Sequence, residues 1–92
     1  MTRFKQRVIM YPLDYQVERW QRKDWQKGSR HYCGELKQDL FGRWVVVRRW
    51  GKVTAVQGQS REDYCNSYEE GLILLSKIER RRLQRGYNKR PS

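Results

Sequence analysis

One run of residues restricts the architecture more than any other: Trp44-Val45-Val46-Val47 continuing into Arg48-Arg49-Trp50-Gly51-Lys52. Aromatic and β-branched residues in unbroken succession favour a strand. Both alternating sets of this run, Trp44/Val46/Arg48/Trp50 and Val45/Val47/Arg49, carry apolar side chains at most positions. A strand with one wet face alternates cleanly, whereas a central strand covered by a helix looks like this one. The run closes on an indole, a glycine and three cations, so bulk, close backbone approach and positive charge can meet one anionic partner at a strand end.

The flanking pattern fills in the layers. Residues 13–21 alternate with period two (Leu13, Tyr15, Val17 and Arg19 against Asp14, Gln16, Glu18 and Trp20), which predicts a first strand. Residues 23–29 are polar, include Gly28 and read as a loop carrying Trp25; Trp20 and Trp25 are expected to pack. Residues 30–37 form a second strand, with Tyr32, Gly34 and Leu36 on one side and His31, Cys33 and Glu35 on the other. A turn at 38–42 and a third strand at 43–50 make hairpin pairing the economical interpretation. Residues 52–59 resemble a short fourth strand ending at Gly58, and 60–66 a charged connection. Ser67 and Glu70 have the spacing of a capping box, and Glu69-Glu70 suits a helix N-terminus. The helix runs to about Arg85 with an apolar stripe of Tyr68, Leu72, Leu75, Ile78 and Leu83, and Gly86 is placed to end it. The fold class is α+β: a small antiparallel sheet of about four strands packed against one C-terminal helix. Residues 1–12 read as a basic arm, 13–87 as a single domain and 88–92 as a short basic tail.

Charge narrows the partner. With 21 Lys+Arg against 10 Asp+Glu, the 92-residue chain carries a formal net charge of +11. Such a chain attracts polyanions, nucleic acid first and an anionic membrane surface second. The membrane reading is the weaker, because the helix stripe is occupied in covering the sheet and lacks bulky aromatics. Val8-Ile9-Met10 is too short for a signal sequence or a membrane span, so the expected location is cytoplasmic, at the nucleoid if the source is prokaryotic. Cys33 and Cys65 stand apart without Cys-x-x-Cys spacing, His31 is the single imidazole, and two reduced thiols without a metal or other cofactor are expected. No nucleophile with a base and no phosphate-cradling glycine loop occurs at a usable spacing, and Glu69-Glu70 are better explained as helix-start charges than as an acid/base pair. The expectation is a non-enzymatic binding module without a small-molecule substrate.

An ordered set of residues carries a family resemblance: Arg30-His31-Tyr32 opening a strand, Trp44 to Lys52, Gly58-Gln59, and a helix closing Lys77-x-x-Arg80-Arg81-Arg82-x-x-Arg85-Gly86-Tyr87. Over about 13–87 the chain resembles the WGR domain, which is found beside the catalytic domain of DNA-dependent poly(ADP-ribose) polymerases and in small bacterial proteins. The resemblance implies a sheet with one helix and a surface for DNA ends or breaks. It makes Trp50 the residue that packs on a terminal sugar and Gly51 the close-approach residue. Lys52 departs from the arginine of the family triplet; it keeps the charge and loses the planar fork, which a phosphate contact tolerates better than a relay between domains does.

The candidate nucleic-acid-binding residues are therefore Trp50, Gly51, Lys52, Arg48, Arg49, Lys77, Arg81 and Arg85. Each has a plainer reading. Trp50 could be a core aromatic, Gly51 a bulge, and the helix cations a solvated face favourably placed at a helix C-terminus. Arg48 and Arg49 point to opposite sides of a strand, so at most one faces the ligand. At the level of the whole chain the competing function is a protein-interaction adaptor whose basic face binds an acidic protein.

Overall fold

The computed structural model describes residues 15–91. A 3-10 turn (Val17–Arg19) leads into β1 (Gln21–Lys27), β2 (Arg30–Gln38), β3 (Trp44–Lys52), β4 (Gln59–Tyr64), α1 (Tyr68–Gln84) and β5 (Asn88–Arg90). The five strands form one antiparallel sheet in the order β4-β3-β2-β1-β5. The α+β class holds, with five strands in place of about four.

The register puts Trp25, Tyr32, Trp50 and Gln59 in one cross-strand row, and Gln21, Leu36, Val46 and Asp63 in another. Side chains of both rows share the face that α1 covers. The core there consists of Trp25, Tyr32, Leu36 and Val46 against Leu75 and Ile78 of the helix. Two glycines let the layers approach: a Cβ on Gly71 would collide with Leu36, and one on Gly34 would sit 3.0 Å from Leu75 Cδ1. Glu79 reaches Lys23 of β1 and Lys89 of β5, each at 3.0 Å, and so pins one flank of the helix to that edge of the sheet.

Both helix ends obey local chemistry. Ser67 Oγ accepts from the Glu70 amide at 3.1 Å, while Glu70 Oε1 accepts from the Asn66 amide, one residue before the cap position of a standard box. At the other end Gly86 takes φ 86, its amide donates to Leu83 O and the Tyr87 amide donates to Arg82 O at 2.9 Å, the paired bonds of a Schellman stop. That turn reverses the chain, so residues 88–90 are not a tail: they pair with Asp24–Gln26 as β5.

Four assignments from sequence move. Residues 15–20 hold the 3-10 turn, not a strand, and β1 begins at Gln21. The expected loop at 23–29 belongs to β1, whose one apolar residue, Trp25, is 1% exposed at the centre of the core. β1 and β2 are joined through Gly28-Ser29, with Gly28 at φ 58. Between β3 and β4, most of the expected strand at 52–59 is a loop, 53–58, in which Val53 and Val56 are exposed, and the expected connection at 60–66 supplies most of β4 instead. An edge strand that meets its neighbour through Arg61 and Asp63 leaves no apolar alternation to read. The expected basic arm at 1–12 lies outside the described residues.

Candidate nucleic-acid interface

Antiparallel register brings the C-terminal ends of β1 and β3 and the start of β2 to one rim, with Arg30 opposite both Lys27 and Lys52. The C-terminus of α1 reaches the same rim: Lys27 Nζ donates to Arg85 O at 2.7 Å. Three depressions meet there, and Trp50 borders all of them. The two larger measure ≈ 510 and ≈ 670 Å³. Their described linings contain Lys27, Arg30, Arg49, Lys52, Arg82 and Arg85 and no carboxylate. A concave rim of one charge sign above a low-dielectric body concentrates field lines and draws in polyanions.

Trp50 is half-buried. Its ring stacks on Tyr32 with centroids 5.5 Å apart and planes 11° from parallel. Tyr32 is in turn met edge-on by Trp25 at 6.1 Å and by Tyr87 at 6.3 Å. The Arg82 guanidinium lies 4.2 Å from the Tyr32 centroid and 5.1 Å from that of Tyr87, so an aromatic cluster positions a cation at the rim. Trp50 is thus both a packing residue and a surface residue, and the two readings of it from sequence are compatible.

The glycines around it explain how the rim stays open. A Cβ on Gly58 would come 2.5 Å from the Trp50 carbonyl oxygen, and one on Gly51 would be 3.2 Å from Gly58 Cα. Two backbone segments touch here, and only glycine fits at 58 without moving a main-chain atom.

The eight candidates from sequence separate into groups. Trp50, Gly51, Lys52 and Arg85 gather at the rim. Arg49 points to the sheet face away from α1, is 48% exposed, and lies 3.6 Å from Glu35. Arg48 faces the helix side and forms an ion pair with Asp63 of β4 at 3.1 Å, both side chains 21% exposed, so its charge is already met within the fold. Lys77 and Arg81 are exposed and share with Arg85 one helix flank at i, i+4 and i+8, turned away from the Glu79 flank. Lys77 stands about 12 Å along the axis from Arg85 and lines none of the rim depressions. Sequence reasoning passed over Lys27, Arg30, Arg82 and Gly58 as site residues. Reading Gly28-Ser29 as a two-residue hairpin loop would have recovered the first two, because that loop fixes Lys27 and Arg30 at the same sheet end as Lys52.

The thiols lie elsewhere and are free. Burial pushes the Cys33 thiol up to about 11, with Asp24 adding to the shift, and burial also raises Cys65. Neither has the electropositive setting of a nucleophilic cysteine. Among the described residues no helix is long and apolar enough to cross a membrane.

Compared with known protein families, residues 16–92 match the WGR domain. An uncharacterized protein, y4dW, of Sinorhizobium fredii (strain NBRC 101917 / NGR234) is 30% identical over 64 residues, a stretch covering 70% of this chain and 31% of that protein. The chain therefore spans about a third of the length of this curated relative. No solved structure matches the chain.

Proposed function

The chain belongs to the WGR domain family, and from that membership and the geometry of the rim we propose that it binds DNA ends, nicks or junctions. WGR domains are in general non-catalytic nucleic-acid-binding modules. The observation that carries the finer reading is the Trp50 ring, backed on one side by Tyr32 and bordering three depressions whose described linings are cationic.

Lysine and arginine at the rim neutralise phosphates and release counterions, so affinity falls steeply as salt rises. Stacking on an exposed sugar or base adds about 1–3 kcal/mol, and only a terminus or an interrupted strand exposes one. The helix contributes cations from one flank and its C-terminus and does not enter a groove, so base-edge readout is weak and sequence preference small. Trp50 provides the stacking plane, Gly51 and Gly58 the open backbone, and Lys52, Arg85, Lys27, Arg30 and Arg82 the phosphate contacts; Arg81 and Lys77 extend the cationic strip along the helix flank, and Arg49 adds a cation on the sheet's other face. The module occupies 13–87 together with β5 and acts in the cytoplasm, at the nucleoid in a prokaryote.

Fluorescence anisotropy with labelled blunt duplex, nicked duplex, single strand and closed circular duplex as competitor tests this. Tighter binding to forms with termini or nicks, with a steep salt slope throughout, is the expected result. Equal binding by all forms, matched by an acidic polypeptide of equal charge, would instead support the adaptor reading.

A further inference from the structure

His31 is the chain's one histidine, and the reading above leaves it without a role. It sits half-buried at the start of β2, opposite Gly51 of β3 and Gln26 of β1, on the sheet face away from the helix. Gly51 has no side chain to cover the imidazole; a Cβ placed there would stand 3.8 Å from His31 Nε2 and 3.2 Å from Gly58 Cα. The ring therefore borders two of the depressions that Trp50 borders, although the indole and the imidazole belong to opposite faces of the sheet.

The charged groups that line the two depressions it borders are cations. Arg30 precedes it on β2, and Arg49 and Lys52 flank Gly51 on β3. The nearest carboxylates are engaged: Glu35 lies 3.6 Å from Arg49, and Asp24 of β1 pairs with Arg22 at 3.0 Å. Cys33, two residues on, keeps its proton because its thiol is pushed up to about 11. The loop before β4, the start of β4 and Tyr87 contribute Ala55, Gln57, Gln59 and a phenol to the larger part of this lining.

We propose that His31 is a phosphate contact with conditional charge, so that nucleic-acid binding at this rim takes up a proton. The inference rests on the nucleic-acid reading and deepens it. A phosphodiester chain held by the cations of these depressions brings negative charge and an acceptor oxygen to the ring, both of which favour its protonated form. Histidine is the side chain suited to a charge change between about pH 5 and 8, so this is the range in which such a contact is read. The sign is fixed by linkage: a group that binds its proton more tightly in the complex makes the complex tighter at low pH, and this gain is lost as pH rises through the bound-state titration. Asp39 and Glu79, held below the usual carboxylate range, stay ionised over that window and do not confuse the readout.

The test is the affinity for a short blunt duplex at constant ionic strength between about pH 5 and 8, for the wild type, His31→Gln and His31→Lys. The wild type is expected to bind about tenfold more tightly at the acid end, His31→Gln to be flat at the weaker level and His31→Lys flat at the tighter one. Calorimetry in buffers of different ionisation enthalpy adds an independent readout, with proton uptake in the wild type and none in His31→Gln. Salt-sensitive binding with the same pH profile in wild type and His31→Gln would overturn the role of His31 and leave the DNA reading standing. Absence of salt-sensitive binding at every pH would overturn both.

Discussion

Replacing Trp50 with alanine separates the two tasks this residue performs. Its packing task is measurable from the structure: the indole stacks on Tyr32 at 5.5 Å and is half-buried. Truncating a fully buried tryptophan costs about 3–5 kcal/mol, so a half-buried one should cost about 2 kcal/mol, a figure that includes the lost stack. Urea unfolding followed by circular dichroism reads this directly and identifies conditions in which the variant remains folded. Under those conditions the binding task is read by anisotropy on blunt duplex and on closed circular duplex of the same composition. Loss of one stacked sugar or base, about 1–3 kcal/mol, weakens end binding by about 5- to 150-fold. The circle has no terminus to stack, and the rim cations are untouched, so its affinity should change by about twofold or less. Trp50→Phe, which keeps a flat ring against Tyr32, should fall between wild type and Trp50→Ala on ends. Equal losses on ends and circles, in a variant shown to be folded, would refute the stacking role and return Trp50 to packing alone.

The remaining predictions concern charge, backbone and thiols. Arg85→Gln should lower the slope of log affinity against log salt by about one, whereas Arg48→Gln should leave that slope unchanged and reduce stability, because it leaves the half-buried Asp63 with the more exposed Arg61 alone. Gly58→Ala should reduce both stability and end binding, since the added methyl meets the Trp50 carbonyl at 2.5 Å and displaces the strand end; a variant as stable and as active as wild type would show that the loop yields freely. Burial pushes the Glu79 carboxyl up, but hydrogen bonds from Lys23 and Lys89 and their charges outweigh it and hold the group below the usual range. Its stabilising contribution is therefore complete above the ordinary carboxylate value of about 4.3 and disappears as pH falls through the lower folded value; Glu79→Gln should be less stable at neutral pH and show a shallower acid limb in urea titrations. Cys65, half-buried, should alkylate before Cys33, which is 4% exposed, as followed by mass spectrometry of the native protein; the reverse order would contradict the placement of Cys33 under the sheet's open face.

What the chain declares locally, it declares clearly. Ser67, Glu70 and Gly86 define both ends of the helix because caps and stops are made by residues a few positions apart. The β2–β3 hairpin is equally legible, since two apolar runs flank a turn in which Asp39 accepts from the amides of Phe41 and Arg43. The net charge and the Trp50-Gly51-Lys52 triplet at a strand end point toward a polyanionic partner before any fold is known. Three strands could not be read this way. β1 holds one buried apolar residue, β4 meets its neighbour through ions, and β5 is three polar residues; each is a strand only because backbone groups across the sheet supply its partners. The grouping of the rim was hidden for the same reason. Lys27 and Arg30, Lys52, and Arg82 and Arg85 come from three separate stretches of the chain, and antiparallel register with the Schellman turn after α1 brings them to one edge. Tertiary structure also decided between neighbours that sequence could not rank: Arg48 is paired with Asp63 across β4, while Arg49 emerges on the other face. A side chain's exposure depends on what lies opposite it, and in a sheet that neighbour comes from another strand.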